Sequence, residues 1–254
     1  MMRSFLSLFV LCCSVISVSG KNPGVIAHRG YWTVENSAQN SMSSMKNAFA
    51  IKAYGSELDV YITTDGQVVL FHDATFNGER IDDMTYAQTQ EIKLSNGESL
   101  PLLTEVLSEA DKQNKTKLII EIKPHDTQQK ENDAVDAVLE LVRHAKMEKK
   151  VEYISFSRNI CERLISKEPK AKVAYLGGEL TPQQLCDLGY SGLDYHIATM
   201  RAHEDWFDEA KRLGLTVNVW TVDDEENMKW LIEKHADYIT TNQPVVLQRL
   251  LNDR

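Results

Sequence analysis

Three carboxylates have the residue type and spacing that most clearly suggest chemistry. Glu57 and Asp59 lie two residues apart in one apolar run, and Glu121 lies near the end of another. Alternate residues of a strand face the same side, so Glu57 and Asp59 would point together. Three carboxylates in one small volume raise one another's pKa unless a cation neutralises them. Oxygen ligands favour one divalent cation, Mg²⁺ or Ca²⁺ with Mn²⁺ as a further candidate, while the alternative is salt bridges to Arg29 and Lys123.

Two histidines and two basic residues could supply the remaining chemistry. His28 and His72 each follow an apolar run, and imidazole titrates near neutral pH, so one could remove a proton while the other donates one. Arg29 offers a forked donor for phosphate oxygens, and Lys123 adds a second positive charge. Together with a cation, these groups predict phosphoryl transfer better than acyl or glycosyl transfer. The sequence does not assign the acid and the base.

The ordered motifs resemble those of the glycerophosphodiester phosphodiesterases over most of residues 24–250. The similar segments are His28-Arg29-Gly30, Glu57-x-Asp59, His72-Asp73, Glu121-x-Lys123, Val219-Trp220-Thr221-Val222 and residues 239–244. The resemblance implies a metal-dependent barrel that cleaves glycerophosphodiesters to glycerol 3-phosphate and an alcohol. By matching motif, it implies metal ligands at Glu57, Asp59 and Glu121, an acid–base pair at His28 and His72, and phosphate contacts from Arg29 and Lys123. Trp220 would form an apolar wall near the glycerol, or else be a core aromatic.

Three departures from the family pattern leave the substrate's alcohol group open. Val34-Glu35-Asn36-Ser37 stands where Pro-Glu-Asn-Thr is usual, and residues 74–80 replace an Arg-Thr-Thr segment. Asn242 stands where Asp is common. Glu35 could orient a loop or ligand or satisfy backbone amides, and His196 could contact substrate or form a structural hydrogen bond. The remaining histidines are predicted to be solvated: His125, His144, His203 and His235.

Eight strand-and-helix units predict a (β/α)₈ TIM barrel, in which polar residues at strand ends meet at one mouth. The alternative, an open doubly wound sheet, lacks its glycine-rich phosphate turn after the first strand. A small insertion, residues 63–101, is predicted after the second strand as a wall of the pocket. Predicted strands are 24–27, 55–61, 117–122, 151–156, 172–176, 192–196, 216–221 and 238–240. Predicted helices are 41–53, 102–112, 131–145, 160–166, 182–188, 204–213, 225–234 and 244–251.

Composition and charge narrow the classes of partner. The 254 residues are 43% hydrophobic and 26% charged, as in ordinary globular proteins, and the net charge is −9. An acidic chain of this kind is not expected to bind nucleic acid, and the family resemblance implies a small-molecule glycerophosphodiester as the partner. Three alternatives remain: a phosphodiesterase for another head group, a metal-independent glycoside hydrolase using Glu57 and Glu121, and a non-catalytic binding protein. The oligomeric state is not predicted.

The first 20 residues are predicted to be a secretory signal peptide. Arg3 precedes the apolar run 5–18, and Ser19 and Gly20 provide the small residues before a cut after Gly20. The run is too short for a stable membrane span, so export to the periplasm or the exterior is expected. Lipid attachment through Cys12 or Cys13 is a lesser alternative. Outside the cytosol, Cys161 and Cys186 could pair or stay as separate thiols.

Overall fold

The computed structural model describes residues 22–253. The predicted signal peptide, residues 1–20, therefore lies outside the described residues. Within 22–253, no helix combines the length and the apolar composition needed to cross a membrane.

The described chain alternates strands and helices, as the sequence predicts. The strands are β1 Gly24–Ala27, β2 Gly55–Ile62, β3 Val68–Leu70, β4 Thr75–Phe76, β5 Glu79–Arg80, β6 Lys117–Ile122, β7 Val151–Ser155, β8 Val173–Tyr175, β9 Gly192–His196, β10 Thr216–Trp220 and β11 Tyr238–Thr241. The helices are α1 Met42–Ala50, α2 Tyr86–Thr89, α3 Leu103–Asp111, α4 Gln128–His144, α5 Arg158–Lys167, α6 Pro182–Asp187, α7 Ile197–Ala202, α8 Trp206–Leu213, α9 Glu225–Glu233 and α10 Pro244–Asn252.

Eight parallel strands close into a barrel. Their order is β1, β11, β10, β9, β8, β7, β6 and β2, and β1 pairs with β2 to complete the circle. The predicted (β/α)₈ barrel is confirmed, and the open doubly wound alternative is wrong because its edge strands would remain unpaired. Beyond its contact with β1, the end of β2 pairs antiparallel with β3, which begins the insertion.

Apolar residues fill two layers on either side of the barrel wall. A large cluster, including Leu58, Leu118 and Leu193, packs the outer face of the strands against the helices. Inside the barrel, a smaller cluster contains Ile26, Ile119, Ile154 and Leu176. Side chains alternate along each strand, so the next inward-facing residues after this layer lie at the carboxyl ends of the strands, at the mouth of the barrel.

The insertion has a small core of its own. Tyr61 on β2 and Val69 on β3 pack with Ile81, Ile92 and Leu100. The β4–β5 hairpin, a 3₁₀ turn at Ile81–Asp83 and α2 lie in this segment. The small insertion predicted after the second strand is thus present, and it builds one side of the barrel mouth.

Helix α7 lies between a predicted strand, 192–196, and a predicted helix, 204–213, where the sequence predicts no element. His196 ends β9, and its Nδ1 accepts a hydrogen bond from the Ala198 backbone N–H over 3.2 Å, so this side chain caps α7. Cys161 and Cys186 are both free thiols, and Cys161 is buried.

Candidate active site

Glu57, Asp59 and Glu121 form a buried carboxylate cluster at the barrel mouth. β2 carries the first two, and the parallel register places Asp59 opposite Glu121 on β6. All three residues are at least 93% buried. One carboxylate oxygen from each lies within 4.8 Å of those of the other two, a spacing suited to shared coordination of one ion.

Raised pKa values at two of the three carboxylates indicate that positive charge compensates this cluster only in part. Burial, followed by the charges of Asp59 and Glu121, raises the pKa of Glu57 well above its usual value. Burial and the Asp59 charge raise the pKa of Glu121 to about 8. Oε1 of Glu57 has no hydrogen-bond partner among residues 22–253. These residues fit a hard divalent cation, because an ion between the carboxylates would partner the free oxygen and relieve the repulsion.

Lys123 and Arg29 provide part of the compensation. Nζ of Lys123 lies 2.7 Å from Oε1 of Glu121 and 3.1 Å from Oδ1 of Asp59. Nε of Arg29 lies 3.6 Å from Oδ2 of Asp59. Burial alone would raise the pKa of Asp59, but the positive charge of Lys123 and other neighbours hold it below its usual value. The salt bridges offered as an alternative to metal binding are therefore present, yet they leave Glu57 without a cationic side chain at salt-bridge distance in the described chain.

The turn after β1 brings His28 and Arg29 to this cluster. Arg29 and Gly30 have φ values of 55° and 78°, so the chain reverses sharply here. The Arg29 backbone N–H donates to Oε2 of Glu57 over 2.6 Å, and its guanidinium donates to Gln39. Nδ1 of His28 lies 2.9 Å from Oδ1 of Asn242, and that contact orients the ring. Burial, then the Arg29 charge, lowers the pKa of His28 to about 4, so the ring is neutral at pH 7.

His72 comes from the insertion and lines the same cavity as His28. Its side chain is 37% exposed, and Nδ1 lies 2.7 Å from Oδ1 of Asp73. Two imidazoles from separate segments of the chain therefore face one space beside the carboxylates. This arrangement can carry out proton transfer at both ends of a bond.

The cavity measures about 140 Å³ and combines a charged wall with an aromatic one. Trp220 lines it, packs edge-on against Phe156, and donates its indole N–H to the backbone oxygen of Asp194 over 2.9 Å. Of the eight residues singled out from the sequence, seven line this cavity, and Asp59 lies immediately beside them. The seven are His28, Arg29, Glu57, His72, Glu121, Lys123 and Trp220.

Two weaker candidates lie outside the cavity lining. His196 packs edge-on against the Trp220 ring, with centroids 5.2 Å apart, while its Nδ1 caps α7. The structure thus shows a structural hydrogen bond of His196, while its contact with substrate stays a prediction. Glu35 is exposed on the loop after β1.

The prediction that His125 is solvated is wrong. His125 is 9% exposed, and its Nε2 accepts a hydrogen bond from the Ile62 backbone N–H over 3.3 Å. Its ring packs against Tyr61, and burial lowers its pKa. Contacts with β2 bury this position, which sequence spacing did not indicate. His144, His203 and His235 are exposed, as predicted.

Three polar residues of the site were missed or left without a role. Asn40 hydrogen-bonds Asp59, Asn242 hydrogen-bonds His28, and Asp194 lines the cavity. Asn242 lies in residues 239–244, one of the segments similar to the family, but only the folded structure shows its contact with His28. Asp194 lies two residues before His196 on a predicted strand, so alternation along that strand was the one available signal.

Comparison with known proteins gives one consistent family. A sequence model of the Glycerophosphoryl diester phosphodiesterase family matches residues 28–246. A curated "Glycerophosphodiester phosphodiesterase" of Caldanaerobacter subterraneus subsp. tengcongensis is 28% identical over 89% of this chain and 97% of its own length. The crystal structure of a glycerophosphodiester phosphodiesterase from Parabacteroides distasonis superimposes with a TM-score of 0.90 at 44% identity, covering 92% of this chain and 99% of that one.

A more distant structure shares the fold. An Oleispira antarctica phosphodiesterase, solved in complex with the product sn-glycerol-3-phosphate, gives a TM-score of 0.80 at 21% identity. It covers 91% of this chain and 97% of that one.

The fold and these relatives define a phosphoric diester hydrolase built on a (β/α)₈ barrel. The chain belongs to the glycerophosphoryl diester phosphodiesterase family, whose sequence pattern it matches over most of its length.

Proposed function

We propose that this protein hydrolyses glycerophosphodiesters to glycerol 3-phosphate and an alcohol, with one divalent cation held by Glu57, Asp59 and Glu121. The observation that carries the proposal is the shared cavity, where these carboxylates meet two imidazoles and two basic side chains. The family match supports the class of substrate. The Oleispira antarctica phosphodiesterase, which has the same fold, was solved in complex with the product sn-glycerol-3-phosphate, and this supports the proposed class of product.

The cation is proposed to be Mg²⁺ or Ca²⁺, with Mn²⁺ as a further candidate. When bound, it would act as a Lewis acid on a phosphodiester oxygen. Three carboxylate ligands suit these ions better than zinc, which prefers nitrogen and sulfur. Arg29 and Lys123 line the cavity beside the cluster and would bind the remaining phosphate oxygens.

The two histidines are proposed as the acid–base pair, and the structure supports a division of roles. His28 is held neutral by its lowered pKa, so it can accept the proton of the attacking hydroxyl. As the phosphorus–oxygen bond to the alcohol breaks, His72 would donate a proton to the leaving alkoxide. Water consumed in the overall reaction supplies the hydroxyl and proton that appear in the two products.

The test is an assay of the purified protein on a panel of glycerophosphodiesters carrying choline, ethanolamine, glycerol or inositol. Activity should vanish with EDTA and return with Mg²⁺, Ca²⁺ or Mn²⁺, and bis-p-nitrophenyl phosphate and a glycoside serve as comparison substrates. His28→Ala and His72→Ala should each lose about 10²- to 10⁴-fold in rate. Turnover that survives chelation contradicts the metal assignment, and cleavage of the glycoside alone contradicts the substrate class.

We also propose that the protein is exported, on the strength of the sequence of residues 1–20. Mass spectrometry of the protein from its native cells should give a mature chain beginning at Lys21. An intact mass that still includes residues 1–20 would contradict processing at this position.

A further inference from the structure

Asp194 is a buried carboxylate that neither the metal cluster nor the fold accounts for. It lies on β9, points into the barrel, and is 2% exposed. It lines the same cavity as the two catalytic histidine candidates. Its Oδ1 has no hydrogen-bond partner in the part of the chain that the structure describes.

The surroundings of Asp194 do not compensate its charge. Asn218 and Thr240, inward residues of the next two strands, hydrogen-bond each other at 2.9 Å and 3.3 Å. Arg29 and Lys123 form their salt bridges with the carboxylate cluster. Burial raises the pKa of Asp194 to about 7, and the Asn218 amide offsets only part of that effect. A buried carboxylate oxygen without a partner is destabilising, so the fold alone gives no reason to keep it.

The barrel topology places Asp194 across the cavity from the metal cluster. Along the ring of strands, β9 is four positions from β2 in either direction, so it faces Glu57 and Asp59 from the opposite wall. A phosphodiester held by the cluster, Arg29 and Lys123 would therefore extend one of its substituents toward Asp194. A carboxylate repels phosphate oxygens but accepts hydrogen bonds from neutral hydroxyl groups.

Trp220 completes this wall next to Asp194. Its indole N–H donates to the Asp194 backbone oxygen over 2.9 Å, which fixes the ring on the same side of the cavity. A hydroxyl acceptor beside an aromatic ring suits a small polyol, whose oxygens need partners and whose carbon–hydrogen groups need an apolar surface. A carboxylate beside an aromatic ring suits a cationic alcohol as well, but the glycerol is the substituent that every glycerophosphodiester carries.

We propose that Asp194 is a specificity-determining residue that accepts a hydrogen bond from a hydroxyl of the substrate's glycerol. The inference rests on the proposed function and adds to it a residue that contacts the glycerol directly. At pH 8 and above, where Asp194 is mainly ionised, a hydrogen bond to its carboxylate should change affinity by about 10- to 100-fold.

The test measures the binding of two phosphate monoesters, so its result does not depend on the catalytic mechanism. Calorimetry in the presence of Mg²⁺ or Ca²⁺ would compare glycerol 3-phosphate with propyl phosphate, which has no hydroxyl on its carbon chain. The wild type should prefer glycerol 3-phosphate by about 10-fold or more. Asp194→Leu should bring that ratio close to one while leaving propyl phosphate affinity nearly unchanged.

Glu152→Gln is the matched control. Glu152 lies on β7, accepts a hydrogen bond from Tyr54, pairs with Lys117, and does not line this cavity. Its substitution should keep the wild-type ratio. A preference for glycerol 3-phosphate that persists in Asp194→Leu would overturn the role of Asp194.

Asp194→Asn is a second variant, which keeps the test informative if Asp194→Leu does not fold. The amide keeps the shape of the carboxylate but is a weaker, neutral acceptor, so the ratio should fall to an intermediate value, and an unchanged ratio would overturn the role. Its thermal unfolding midpoint should not drop, because a buried unpartnered charge is removed. If the wild type cleaves no glycerophosphodiester, the proposed function fails; if it cleaves them and the variants keep the ratio, only this inference fails.

Discussion

Asn40 and Asp59 are joined by two hydrogen bonds in the buried part of the carboxylate cluster. Nδ2 of Asn40 donates to Oδ2 of Asp59 over 2.8 Å, and the Asp59 backbone N–H donates to Oδ1 of Asn40 over 3.0 Å. Both residues are 1% exposed. Asn40 has a φ of 56°, a left-handed conformation that Asn tolerates better than most residues. The loop between β1 and α1 thus fixes the orientation of a carboxylate on β2.

Asn40→Ala should therefore weaken metal binding without removing a ligand. Loss of a residue that orients a metal ligand typically lowers metal affinity about 10- to 100-fold. Calorimetric titration with Mn²⁺ or Mg²⁺ measures the change. Asn47→Ala is a control, because Asn47 hydrogen-bonds Tyr31 and Ser37 and not the cluster. Equal metal affinity in wild type and Asn40→Ala would contradict this role.

Glu57→Gln should stabilise the metal-free protein and remove its response to metal. Burial raises the pKa of Glu57 in the folded state, so the folded state binds a proton more tightly than the unfolded state. The free energy of unfolding of the metal-free wild type therefore falls as pH rises above the usual carboxyl pKa. Thermal unfolding in EDTA at pH 7 should give a higher midpoint for Glu57→Gln.

The same experiment with added cation supplies the second half of the prediction. Divalent metal should raise the midpoint of the wild type and have little effect on Glu57→Gln, since one ligand is gone. A variant that is less stable than wild type in EDTA, or equally stabilised by metal, would show that Glu57 is a structural residue.

His28→Gln should reduce the acid sensitivity of folding. The pKa of His28 is lowered to about 4 in the folded state, against about 6.5 when unfolded, so only the unfolded state takes up this proton in between. The free energy of unfolding therefore decreases as pH falls from about 6.5 to about 4, by up to about 3 kcal/mol from this group.

Denaturant unfolding in EDTA across this pH range would measure the effect. The difference in free energy of unfolding between wild type and His28→Gln should change with pH as described. Asn47→Ala, which removes no titratable group, should run parallel to wild type. Parallel curves for His28→Gln would mean that the ring is not held neutral.

Trp220→Leu should raise KM for glycerophosphodiesters by about 10-fold, since an aromatic contact contributes roughly 0.5–1.5 kcal/mol beyond its buried area. Trp220→Phe should lie in between, because it keeps a ring but loses the hydrogen bond to Asp194. Trp230→Leu is a control in α9, where the ring packs against Arg201. Steady-state kinetics measure the KM values. Equal KM values for Trp220→Leu and Trp230→Leu would contradict a contact between Trp220 and the substrate.

Local patterns in the sequence were sufficient to predict the barrel and the main polar residues. Glu57 and Asp59 share a face because side chains alternate along a strand. Glu121 lies near the end of the neighbouring strand, so the convergence of the three carboxylates follows from parallel pairing. The boundaries were less well determined. Helix α7 was missed because its cap is a histidine, which is not among the residues usually read as helix caps.

The tertiary structure alone decided which other groups complete the site. Asn40 reaches Asp59, Asn242 reaches His28, and Asp194 faces the carboxylates only because the barrel closes and its strands adopt one register. The burial of His125 likewise depends on its contacts with Tyr61 and Ile62 of β2. Spacing along the chain determines which residues share a face, whereas contacts across a closed sheet depend on strand order and register, which no local pattern encodes.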